Sequence, residues 1–140
     1  MGRLGKSVRA VLVATVVILA VGFVFSAIQP VYEWKVLGVM SSAPVSPERA
    51  AELLFWPALV FILVSTVITF GVGGYLAGRL AGGQPSKHAL LAASIPLLLT
   101  WSVVLAEPNP ALLNIGFVTI VGVAAAIVLG ILGNRRATDR

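Results

Sequence analysis

Apolar residues in this chain come in runs too long for the two-residue alternation of a half-buried strand or the single apolar face of a surface helix. Four runs stand out, at about 8–28, 57–80, 88–106 and 110–132. Each is close to the roughly 20 residues that a helix needs to cross a hydrocarbon core ~30 Å thick. Charged residues collect at and between the ends of these runs. The pattern predicts an all-α fold, an integral membrane four-helix bundle, with residues 1–140 forming a single transmembrane domain.

The first run, "VRAVLVATVVILAVGFVFSAI", lies ahead of Pro30. Its β-branched residues are poor helix formers in water. In lipid the backbone must satisfy its own hydrogen bonds, so a helix is expected there anyway. Arg3, Lys6 and Arg9 in front of it also suit a signal peptide, and Val24 and Ser26 would suit a cut after Ser26. The apolar stretch exceeds a typical signal core, so a retained anchor is expected. An extracytoplasmic loop is expected at about 30–56, with Tyr32, Trp34 and Trp56 in the headgroup zone. Ser46, Pro47 and Glu48 read as N-cap, N1 and N2 of a helix. Residues 47–56 suit a short interfacial helix, or an outward extension of the second span bent at Pro57, and the continuous, kinked helix is the expectation. Gly82, Gly83 and Pro85 should end the second span, and Ser86 can cap the third. In "EPNP", Asn109 reads as N-cap and Pro110 as N1 of the fourth, which should stop at "GNRR". "PALVFILVSTVITFGVGG" from Pro57 and "PALLNIGFVTIVGVAAAI" from Pro110 share their start and a threonine nine residues on. The first and third spans do not align at that offset.

Composition supports the membrane reading, with 59% hydrophobic and 11% charged residues. A soluble domain carries about 25% charge. The net charge of +5 raises the question of nucleic acid, but no basic stripe with interleaved aromatics is present, so no nucleic-acid partner is expected. Eight of the ten basic residues, Arg3, Lys6, Arg9, Arg79, Lys87, Arg135, Arg136 and Arg140, fall on one side of a four-span arrangement. Glu33, Glu48, Glu52 and Glu107 fall on the other. The positive-inside rule then places both termini in the cytoplasm of a multi-pass protein of the cell (inner) membrane.

Six of the fourteen residues in "FGVGGYLAGRLAGG", 70–83, are glycine. Glycine costs a helix about 1 kcal/mol relative to alanine in water. In lipid, small residues at steps of four let two backbones approach. Gly74, Gly78 and Gly82 form one such row, with Gly73, Ala77 and Ala81 beside it. Gly122, Ala126 and Gly130 answer in the fourth span. The first span offers Ala10, Ala14, Gly22 and Ser26, with Ile18 interrupting. The second and fourth spans are therefore expected at the centre of the bundle. A membrane-protein partner or a second copy of the chain is the other occupant these rows suit. The words "GGYLAGRLAGG" and "KHALL" resemble a "GGYxAxR" motif in small prokaryotic four-span membrane proteins. The resemblance covers Gly73 to Leu91 and implies four-span topology, with no catalytic residue to carry over.

Candidate chemistry is sparse. Between the interfaces the spans hold no Asp, Glu, Lys or Arg, which argues against proton-coupled antiport and voltage sensing. Arg79 reads as a snorkelling cation, or as a contact to lipid phosphate. Tyr75 lies on the same face, and the Ala92 carbonyl, freed by Pro96, is a conceivable acceptor for its hydroxyl. His88, the lone histidine, reads as an interface residue. With no cysteine, no second histidine and no Walker, zincin or GxSxG motif, no metal, cofactor or enzymatic activity is expected. Two roles remain. One is a structural or accessory membrane protein acting through glycine-mediated packing in the lipid bilayer. The other is a small oligomeric transporter or pore for a neutral or lipidic solute. A polar cavity lined by Asn114, Thr119, Thr69 and Thr100 would favour the second, and a dry interior packed on glycine the first.

Overall fold

A computed structural model of the chain describes residues 3–81, 83–106 and 112–138. It contains four helices: α1 (Arg3–Met40), α2 (Pro47–Ala81), α3 (Pro85–Leu105) and α4 (Leu112–Thr138). All four are long and apolar enough to cross a membrane. Direction alternates, so α1 runs with α3 and α2 with α4. Thr15 lies beside Ala92 in the first pair, and Gly74 and Gly78 beside Ala126 and Gly130 in the second.

At 1.5 Å per residue, α1 and α2 are about 57 and 52 Å long, against about 32 Å for α3. The excess lies at the end away from the cluster of Lys6, Arg9, Arg79, Lys87, Arg135 and Arg136. There α1 and α2 continue as a hairpin past the end of α3, so Pro30 does not end α1 as its position suggested. Gln29 donates to Glu33 at 2.8 Å across the proline. Tyr32 stacks on Phe61 at 4.8 Å and donates to the Pro57 carbonyl at 3.2 Å. Phe25 meets the same ring edge-on at 6.0 Å. These contacts anchor α1 to α2 beyond the backbone donor that Pro30 lacks. The expected 30–56 loop is mostly helix, and only residues 41–46 connect. Ser46 does cap α2, accepting from the Arg49 backbone N–H at 3.3 Å, and α2 passes Pro57 as one helix.

At the opposite end the cap of α3 is Gln84, not Ser86. Gln84 sits in the left-handed region at φ 44°, with Pro85 in the first helical turn. The Lys87 N–H bonds the Gln84 carbonyl at 3.1 Å. α4 continues through "GNRR" to Thr138 because Gly133 is a packing position, its Cα set against the Tyr75 backbone. Gly82, Asn109 and Pro110 lie outside the described residues.

The centre also differs from expectation. α2 and α3 each touch all three other helices, whereas α4 touches α2 and α3 only. α1 and α4 do not meet among the described residues. The buried core is built of small side chains: Ala14, Ala77, Ala89, Ala92, Ala93 and Ala126 around Ile18. Where backbone faces backbone, the pairs are Gly74 with Ala126, Gly78 with Gly130 and Gly133 with Tyr75. Where a glycine faces a large side chain, it makes a hole: Ile18 fills the one at Gly73, Leu129 that at Gly71 and Phe70 that at Gly122. Ile18, which interrupts the small row of α1, is thus the knob that row supplies to α2.

Candidate ligand cavity

The small residues end where the bundle opens. Among the described residues, the backbone approaches lie in the half nearer the basic end, below Gly122 on α4 and Gly71 on α2. Toward the other end α2 carries Phe61, Ile62, Ser65, Thr66 and Thr69, and α4 carries Asn114, Ile115, Val118 and Thr119. Side chains of this bulk hold the helix axes apart. The space left is a partly open cavity of about 510 Å³ lined by all four helices. That volume lies within the roughly 300–1,000 Å³ common for small-molecule sites.

One stripe of α2 forms its floor. Ala51, Leu54, Ala58, Ile62, Ser65 and Thr69 recur at steps of three and four along it, the spacing of one helix face. The stripe spans about 27 Å at 1.5 Å per residue. α1 supplies Gly22, Phe25, Ser26 and Gln29, and α3 supplies Leu97 and Thr100. The wall is apolar with neutral polar groups set into it. Among the described residues, Lys, Arg, Asp, Glu and His are absent from the lining.

Four of the eight polar side chains in the lining, Gln29, Ser65, Thr100 and Thr119, are already engaged, while Ser26 and Asn114 are exposed. Ser65 donates to the Ile62 carbonyl at 2.9 Å, and Thr100 to the Pro96 carbonyl at 2.9 Å. The Trp101 indole N–H donates to Thr119 Oγ1 at 3.0 Å, tying α3 to α4 beside the cavity. Thr66 and Thr69 differ. They are only 8% and 6% exposed, and neither hydroxyl has a hydrogen-bond partner among the described residues. No polar side-chain atom there is both sealed from space and unpartnered. Both hydroxyls therefore open into the cavity that their residues line.

The residues singled out from sequence divide between the two halves. Gly74, Gly78, Ala126 and Gly130 are buried in the α2–α4 seam, and Gly122 sits under Phe70. Tyr75, Arg79 and His88 lie at the basic end, away from the cavity. Tyr75 is half-buried and Arg79 exposed. His88 Nδ1 donates to the Gln84 carbonyl at 3.0 Å. The Ala92 carbonyl freed by Pro96 does receive a hydroxyl, but from Thr15 of α1 at 3.1 Å rather than from Tyr75. Tyr75 belongs to the α2–α4 seam, and α1 is the helix that faces Ala92. Thr69, Thr100, Asn114 and Thr119, polar positions that stand out in the apolar runs, all line the cavity. Ser26, Gln29, Ser65 and the aromatic wall of Phe25, Phe61 and Phe70 join them without a comparable signal in the sequence. Thr66 was visible only as the partner of Thr119 in the internal match. Among the described residues, no group of three or more His, Asp or Glu is placed to hold a metal ion.

No family model, curated protein or solved structure matches the chain. The fold and site define a small multi-pass membrane protein of four helices.

Proposed function

We propose that this protein binds an uncharged, largely apolar solute within the membrane and carries it between the cavity and its surroundings. The observation that carries this reading is the 510 Å³ cavity with an apolar wall, neutral polar groups and, among the described residues, no charged side chain in its lining. A charged solute would lose its hydration there without a counter-charge, at a cost of several kcal/mol. The glycine rows bear on the choice of role. Gly74, Gly78, Ala126 and Gly130 are already covered by one another within the chain, so they are not free to bind a partner. The basic end of the bundle is taken as cytoplasmic and the membrane as the cell (inner) membrane. The cavity then lies in the outer half. The reading requires no bond-breaking chemistry and no cofactor.

A second reading keeps an accessory role. Beyond the end of α3, the α1–α2 hairpin exposes Trp34, Val39, Phe55 and Trp56 at 74%, 89%, 58% and 68%, a surface that suits a partner protein as well as headgroups.

Trp101 offers a direct test, because its indole bonds a cavity residue. Changing Trp34 and Trp56 to Phe leaves Trp101 as the sole indole of the chain. Titration with a brominated monoacylglycerol should quench Trp101 saturably, and Ala58→Phe, which narrows the cavity, should abolish saturation. Linear collisional quenching, identical in the Ala58→Phe variant, would count against a ligand site.

A further inference from the structure

We infer that Thr66 and Thr69 form the recognition point of this cavity, and that its ligand carries an uncharged hydroxyl or carbonyl group at the buried end of a hydrocarbon body. The inference rests on the proposed ligand-binding reading and narrows it to a chemical class. The two threonines stand one helical turn apart on α2, so their side chains point to the same side. Both are more than nine-tenths buried. In an apolar setting a threonine hydroxyl usually bonds the carbonyl three or four residues back. Ser65, Ser94, Thr100 and Ser102 of this chain do so. Thr66 and Thr69 do not, and keep donor and acceptor capacity toward the cavity. An unpaired hydroxyl facing an apolar wall is a group that a ligand donor or acceptor can satisfy.

The pair sits at the end of the cavity nearest the small-residue seam. Phe70 closes the floor over Gly122, and the Thr69 methyl lies over Gly22, 3.7 Å from where a Cβ on that glycine would stand. Past Ser65, whose hydroxyl is spent on the Ile62 carbonyl, the α2 stripe leads to Ala58, Leu54 and Ala51, which carry no hydrogen-bonding side chain. A ligand fitting this gradient has its polar group deep and its hydrocarbon part along α2. The ligand group is neutral, since among the described residues no cation lines the site to balance a carboxylate or phosphate.

The test uses the Trp101-only protein and the brominated monoacylglycerol as reporter, with hexadecanol and hexadecane as competitors. Hexadecanol should displace the reporter roughly tenfold better than hexadecane, the value of one good buried hydrogen bond. The preference should vanish in Thr66→Val/Thr69→Val and survive in Thr66→Ser/Thr69→Ser. Equal displacement by alcohol and alkane would overturn the hydroxyl inference while leaving the cavity a ligand site. Absence of saturable quenching with every probe would overturn the ligand-site reading itself. The wild-type comparison decides between these even where the valine variant fails to fold.

Discussion

Gly78 of α2 and Gly130 of α4 meet backbone to backbone: a Cβ placed on Gly78 would lie 2.7 Å from the Gly130 carbonyl carbon and 3.0 Å from its Cα. One turn earlier, Gly74 faces Ala126 in the same way, with 2.6 Å to its Cα. Two helices running in the same direction thus share one small-residue seam. Its register differs by a single residue from the internal sequence match that pairs Thr66 with Thr119. In lipid, where apolar burial drives little association, this close packing is what holds α2 and α4 together.

Gly78→Ala should therefore lower stability by about 1–3 kcal/mol, because the new methyl meets backbone that cannot rotate away. Gly38→Ala is the control, since nothing lies within 4 Å of that position, and it should match the parent or exceed it slightly. Thermal unfolding in detergent, followed by loss of monodisperse protein, reads both. An unshifted Gly78→Ala midpoint would mean that the seam does not form.

A second prediction concerns the proline-freed carbonyl. Thr15→Val removes the bond to Ala92 and should cost about 0.5–2 kcal/mol. Pro96→Ala restores a backbone N–H that can bond the same carbonyl. In that background Thr15→Val should cost measurably less. A double-mutant cycle reports the difference as a coupling energy, and strict additivity would contradict the assignment.

Much of this architecture is legible in the sequence, and the exceptions share physical causes. Run length gives four helices, and steps of four give the α2–α4 seam, because both depend on local spacing alone. Helix ends are harder to read. Pro30 and "GNRR" look like stops, yet Tyr32 on Phe61 and Gly133 on Tyr75 carry the helices onward through contacts with residues distant in sequence. Small-residue rows on α2 and α4 suggested that these two helices make the centre. They cannot reveal that α3, with Ala89, Ala92 and Ala93, packs against every other helix. The cavity was only half legible. Thr69, Thr100, Asn114 and Thr119 are polar residues in apolar runs and attract notice. Phe25, Phe61 and Phe70 do not, since an aromatic in a membrane helix looks the same facing lipid, protein or empty space.

Topology is open to direct labelling, because the chain has no cysteine. A cysteine at Ala43, in the 41–46 connection, should react with a membrane-impermeant maleimide added outside intact cells. Cysteines at Lys87 or Ala137 should react only after permeabilisation. External labelling at Lys87 would reverse the orientation inferred from charge.

The accessory reading makes its own prediction. If the exposed hairpin seats a partner, Trp34→Ala/Trp56→Ala should release polypeptides that otherwise copurify in fixed ratio in mild detergent. The ligand-binding account expects the same apparent mass before and after that change.

The most direct measurement of the central claim is a native mass spectrum of the protein released from mild detergent, compared with that of its Ala58→Phe variant. The account predicts that the parent carries one neutral amphiphile, stripped at moderate collision energy, and that the narrowed variant flies bare. A bare parent, or an adduct retained equally by the variant, would contradict it.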